Sequence, residues 1–156
     1  MIRSFSSDDL VHRGKHSTII RGNGLEQPAI CIKVLNQEFP DSDESWYLEN
    51  EFDFTGNTSC KVIRKALRQT KTENHPSIVF EYIEGADLGQ ALVSHDRFSV
   101  HELLNLAIEL AAAVAALHKE NIIHNSICPG NIIISKNDEV VFIDFQVAAR
   151  NSLKLE

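Results

Sequence analysis

Cysteine is scarce in this sequence: Cys31, Cys60 and Cys128 are the only three among 156 residues. They are odd in number, widely spaced and lack a Cys-x-x-Cys pair, so neither a disulfide framework nor a zinc site is expected. Reduced thiols in a cytoplasmic protein are the expectation. Four prolines and seven glycines leave no room for a collagenous or low-complexity tract. No apolar run approaches about 18 residues, so no membrane span is expected. Met1 to Asp9 lack the apolar core of a signal peptide. Basic residues are also outnumbered, 15 against 22 acidic, for a net charge of −7. That balance argues against nucleic acid or an anionic membrane as partner. What is present is ordinary for a globular chain: 43% hydrophobic and 24% charged residues, and the length is enough for one domain, or one and a half small lobes, with a core. The carboxylates crowd between Glu38 and Asp53, an acidic surface on the first half.

The first half reads as a small antiparallel sheet with one helix inserted. Val11 to Arg21 alternates loosely, and Gly22-Asn23-Gly24 signals a hairpin turn. The next strand, Ala29 to Leu35, places Ala29, Cys31, Lys33 and Leu35 on one face and Ile30, Ile32 and Val34 on the other. A lysine inside so apolar a strand serves either as an edge charge that blocks aggregation or as a cation aimed at a phosphate. Asp41 and Glu44 have capping-box spacing and open a helix over about 43–54, ended by Gly56-Asn57. Glu51 lies beside its apolar face, four residues from Tyr47 and three from Leu48. Taken alone it is a surface glutamate; it gains interest from Lys33 on the preceding strand. Strands over 61–68 and 77–83 follow, joined by a polar turn at 70–76, and Glu84-Gly85-Ala86 breaks the pattern.

The second half opens with a short helix over 87–94. Ser99 and Glu102 form a capping box for a long helix to about Lys119. Leu103, Leu104, Leu106, Ala107, Leu110, Ala111, Val114 and Leu117 give it a wide apolar stripe, so it is expected to be a buried structural helix. The loop 124–131 then leads into the strand Ile132–Ser135, the turn Lys136-Asn137-Asp138 and the strand Val140–Ile143. Such a hairpin brings Asn131 at its entry and Asp144 at its exit to the same end. An amide and a carboxylate converging there suit Mg²⁺, although Asp144 by itself reads as a turn or cap residue.

The loop His124-Asn125-Ser126-Ile127-Cys128-Pro129-Gly130-Asn131 has the outline of a phosphotransfer catalytic loop, in which a His is followed two residues later by a carboxylate base and five residues beyond by an Asn. Here His and Asn hold that spacing and Ser126 stands where the base belongs. Together these parts resemble the eukaryotic-type protein kinase fold. The class that follows is α+β: an antiparallel-sheet N-lobe over 1–83 and a partial, mainly helical C-lobe over 84–156. The resemblance implies binding of ATP and Mg²⁺. It makes Lys33, in Cys31-Ile32-Lys33, the phosphate-binding lysine and Glu51 its partner. Phe80 falls at the gatekeeper position, Glu81 to Ile83 at the adenine-binding hinge, and Asp87 at a ribose-binding position. Asn131 and Asp144 match the two metal ligands. Gly14 and Ile19 belong to a thin glycine-rich loop, aligned as His12 to Ile19, in which only the middle glycine remains. More narrowly, Lys33 to Ala149 resembles the kinase-like domain of large bacterial hybrid signalling proteins.

The departures from that pattern bear on function. A serine hydroxyl cannot accept a substrate proton as a carboxylate does. Asn125 replaces an arginine, Cys128 a lysine, and Gln146 the glycine of Asp-Phe-Gly. Twelve residues follow Asp144, without an activation segment or substrate platform. The expected function is a pseudokinase-like regulatory or scaffold module that binds ATP. A weak phosphotransferase working without the base, a small-molecule kinase of the aminoglycoside or choline type, and an interaction protein with an empty pocket stay open as alternatives. A short C-lobe leaves the apolar face of the 100–119 helix partly uncovered, so self-association or a protein partner is expected.

Overall fold

A computed structural model describes residues 9–22, 29–94 and 99–151. The chain forms two compact units: residues 1–57 with 65–82, and residues 58–64 with 83–156. The division differs from a simple cut at residue 83, because 58–64 join the second unit. There Ile63 bridges Phe142 in parallel, Arg64 N–H donates to Phe142 O, and Phe142 N–H donates to Val62 O.

The first unit is a five-stranded antiparallel sheet with a helix. Its strands are β1 (Leu10–Arg13), β2 (Ser17–Gly22), β3 (Ile30–Leu35), β4 (Ala66–Thr72) and β5 (His75–Glu81), in the order β1-β2-β3-β5-β4. The expected Gly22–Gly24 turn lies partly outside the described residues. The strand expected over 61–68 is displaced to 66–72, since the segment before it belongs to the second unit. β4 and β5 are joined at Glu73-Asn74, both with positive φ (50° and 69°), the two-residue hairpin turn whose twist suits antiparallel strands. Pro76, expected in the turn, sits inside β5 opposite Lys71. It does so before β5 begins pairing with β3 at Ser77, so its missing N–H breaks no ladder on that side.

Helix α1 (Ser42–Thr55) starts at Asp41, whose side chain accepts from Glu44 N–H. Its inward stripe is Glu44, Leu48, Glu51, Phe54 and Thr55, the spacing of one helical face. Leu48 joins Cys31, Leu35, Ala66, Ile78 and Phe80 in the core, with Ile19, Phe52 and Tyr82 packed against it. The face of β3 that carries Cys31, Lys33 and Leu35 is thus buried, as the alternation implies.

The second unit contains α2 (Leu88–Ser94), α3 (Val100–Lys119), a three-stranded sheet and a two-stranded one. β8 (Ile132–Ser135) is central to the first, flanked by β6 (Gly85–Asp87) and β9 (Val140–Phe142). β7 (Ile122–Ile123) pairs with β10 (Ala149–Arg150). The Glu84–Ala86 stretch, expected to end a strand pattern, starts one instead. Gly85 is needed there because a Cβ would stand 2.1 Å from Ile134 O.

Helix α3 has the expected Ser99/Glu102 capping box, but it is not the buried helix its stripe suggests. Only Ala113 and Leu117 are buried. Val100 is 74% exposed, Leu104 58% and Ile108 63%. Its apolar residues take up most of its circumference, beside a polar stripe of His101, Glu102, Asn105 and Glu109. Among the described residues α3 is also the one helix long and apolar enough, by length and composition, to cross a membrane. Counting uninterrupted apolar residues misses this, because His101, Glu102, Asn105 and Glu109 break the run without removing its apolar average. The same length and composition suit a core helix, but a core helix is mostly buried and only 11% of this one is.

Candidate functional site

In the first unit the expected residues cluster on β3 and its neighbours. Lys33 Nζ donates to Glu51 Oε2 at 2.6 Å, with side-chain exposures of 5% and 0%. Glu51 is delivered by the inward stripe of α1, two turns beyond Glu44, and Thr55 Oγ1 donates to its carbonyl oxygen. Ile19 lies opposite Lys33 on β2, and Cys31 opposite Phe80 on β5. Phe80 is 1% exposed. The Glu81 carboxylate accepts from Lys65 N–H at 3.0 Å. Gly14 occupies the β1–β2 turn, where its N–H donates to Ser17 O. A Cβ on it would lie 3.2 Å from Ser17 O.

A buried ion pair is costly to desolvate and is weak as a source of stability. The second oxygen of Glu51, Oε1, is buried with no partner among the described residues. An apolar pair of similar volume would serve the core as well.

In the second unit the loop 124–131 is built around His124, which is 2% exposed. Its Nδ1 accepts from Ser126 N–H (3.2 Å), so Nε2 carries the proton that it donates to Ile143 O (3.0 Å). That assigns one tautomer. The ring packs against Phe145 (4.4 Å between centroids) and Phe142 (5.6 Å). His124 therefore ties the loop to the backbone just before Asp144. Asn125, with φ 61°, donates from Nδ2 to Val147 O at 3.0 Å. Asn tolerates this left-handed conformation better than most residues.

The short 3₁₀ turn Pro129–Asn131 leads into β8. Asn131 Nδ2 donates to Ser126 O (2.9 Å) and to Ser126 Oγ (3.2 Å). With the amide nitrogen so held, Oδ1 is the group left to face a cation. Asn131 O accepts from Ile143 N–H at 3.0 Å, so the hairpin does bring residue 131 beside 143 and 144. Asp144 has φ 66°, a conformation that costs a non-glycine residue energy and clusters at functional sites. No group of three or more His, Cys, Asp or Glu able to hold a metal occurs among the described residues. One amide and one carboxylate fit Mg²⁺ in the manner of a site that relies on substrate phosphates and water for its other ligands. Asp87, expected at a ribose position, accepts from Gln90 N–H at 2.9 Å and so caps α2. Ile83 is half-buried and also belongs to this unit.

Two features are not visible in the sequence pattern. The first is Ser126 as an acceptor that orients Asn131, which emerges only once both ends of the loop are placed. The second is a pair between His16 and Glu44, 2.9 Å apart.

The fold is protein kinase-like. The chain matches the model of the protein kinase domain over residues 5–155, and it belongs to that family. Its relatives include the probable serine/threonine-protein kinase mkcF of Dictyostelium discoideum, 28% identical over 95% of this chain and 23% of that protein. MAP3K epsilon protein kinase 1 of Arabidopsis thaliana is 27% identical over 91% of this chain and 11% of its own length. Serine/threonine-protein kinase PknL of Mycobacterium tuberculosis is 28% identical over 85% of this chain and 34% of its own length. The chain thus spans about a third or less of each.

Proposed function

We propose that this chain binds ATP with Mg²⁺ and acts through that binding, as a pseudokinase-type regulatory or scaffold module in cytoplasmic signalling. The observation that carries the reading is the buried Lys33–Glu51 pair at 2.6 Å, a charged device with no advantage for the core. Lys33 would hold the α- and β-phosphates, and Asn131 Oδ1 with the Asp144 carboxylate would hold the metal. When bound, the metal would neutralise phosphate charge. Ser126 in place of a carboxylate supports binding over efficient transfer. The retained arrangement of His124, Asn131 and Asp144 around it favours a second reading, residual phosphoryl transfer, since much of that reaction is positioning.

A thermal-shift titration tests the first reading. ATP at millimolar concentration should raise the melting temperature only with Mg²⁺ present, and Asp144→Asn should abolish the rise. No rise in the wild-type chain would overturn the proposal. Transfer from γ-labelled ATP that disappears in Asp144→Asn would establish the second reading.

The exposed apolar face of α3 supports a further part of the proposal, that a protein surface covers it, either a second copy or a partner. Light scattering should give a mass above that of the monomer, lowered by Ile108→Glu. A monodisperse monomer that binds no apolar dye, or a chain that partitions onto neutral lipid vesicles instead, would contradict it.

A further inference from the structure

The β1–β2 turn, Gly14 to His16, is held from two directions. Asn36, just past β3, donates from Nδ2 to Gly14 O (3.1 Å) and Lys15 O (3.0 Å). Its N–H donates to His16 O (2.9 Å), and its Oδ1 accepts from Thr18 Oγ1 (2.7 Å). One residue thus fixes both the carbonyls of the turn and the strand after it. The second hold is His16 Nδ1 against Glu44 Oε1 at 2.9 Å.

Glu44 is the third residue of α1 after the Asp41 cap. In a capping box its side chain would return to the cap's N–H. Only half of that box forms: Glu44 N–H donates to Asp41 Oδ1 at 2.8 Å. The Glu44 side chain turns inward instead, is nine-tenths buried, and leaves Oε2 with no partner among the described residues. Giving up a cap contact to bury a carboxylate has a cost, and the His16 contact is what offsets it.

The inward stripe of α1 therefore carries two carboxylates with Leu48 between them. Glu51 meets Lys33 on β3, and Glu44 meets His16 in the β1–β2 turn. Two polar anchors set two turns apart fix both the rotation of a helix about its axis and its tilt, whereas one anchor leaves the tilt free.

We propose that His16 and Glu44 are positioning residues: they couple the β1–β2 turn to α1, and through the rigid helix they set Glu51 against Lys33. A ligand that engages the turn is then felt at the Lys33–Glu51 pair. That last clause rests on the nucleotide reading above; the coupling itself does not.

The test is made on the full chain without nucleotide. Hydrogen exchange should quicken across α1, on the order of threefold to tenfold, in His16→Ala. The β4–β5 hairpin should stay as protected as before. Trp46, the chain's single tryptophan, lies on α1 and is half-exposed, so its acrylamide quenching should change in the same variant. His16→Asn, which can donate from nearly the position of Nδ1, should restore both readouts. In Glu44→Ala, which removes the acceptor, the effect of His16→Ala should largely vanish, as a double-mutant cycle requires of a coupled pair. Unchanged exchange and quenching in His16→Ala, or additive effects in the cycle, would overturn the proposal. Because the readouts need no ATP, a failed nucleotide titration would leave this result standing.

Discussion

The Lys33–Glu51 pair is buried, whereas the loop 124–131 is largely exposed around the buried His124, and the two polar arrangements have met different fates. In the first unit both charged partners remain, at 2.6 Å and almost fully enclosed. In the second, the loop keeps its frame, with His124 bonded on both ring nitrogens and Asn131 held by Ser126. Yet residue 126, where the resemblance places a proton acceptor, carries a hydroxyl. The difference teaches that the frame of this loop is held without a carboxylate at residue 126. The backbone of residue 126 and one side-chain oxygen suffice to orient Asn131. In the charged pair, removing Lys33 alone leaves a buried carboxylate without its partner, which is the costly case.

That contrast can be broken most sharply at Lys33. Lys33→Ala leaves Glu51 buried and uncompensated, and should destabilise the first unit by about 3–5 kcal/mol in denaturant unfolding. Replacing both partners, as Lys33→Met with Glu51→Leu, should instead be neutral or stabilising by about 1–4 kcal/mol. A double variant as unstable as Lys33→Ala would mean that the pair is structural after all. In the loop, His124→Ala removes ring packing against Phe145 and Phe142 along with the bond to Ile143 O. It should cost about 2–4 kcal/mol, read as loss of protection in β8 and β9. Ser126→Ala keeps the carbonyl acceptor and loses only the hydroxyl, so about 0.5–1.5 kcal/mol or less is expected. If Ser126→Ala matched His124→Ala in cost, the loop would depend on residue 126 far more than the comparison holds.

Local chemistry makes much of this legible in the sequence. The Asp41 cap, the Ser99/Glu102 box and the alternation of β3 lie in short stretches of chain, and the structure follows them. The hairpin that joins Asn131 to the neighbourhood of Asp144 is legible because both strands are short and the turn is polar. Other features depend on distant partners. The segment 58–64 leaves the first unit because Ile63 and Arg64 pair with Phe142, which displaces β4 from its expected start. Gly85 reads as a breaker but is required by Ile134 O across a strand pair. His16 finds Glu44 from 28 residues away, and no local pattern announces it. The stripe of α3 is apolar as its periodicity says, but periodicity does not say whether anything covers it. Motif spacing suggests the roles of Ser126, Asn131 and Asp144; their orientation depends on the bonds that Ser126 and Ile143 make to Asn131.

The most direct test of the central claim, that the buried pair is kept for a nucleotide and not for the fold, is a calorimetric titration of Mg²⁺ and ATP into two chains. One is the wild type and the other is the Lys33→Met, Glu51→Leu variant, each first shown to be folded. Saturable binding by the wild type, and none by an equally stable variant, is the expected result. Equal binding by both chains, or no binding by the wild type, would contradict it.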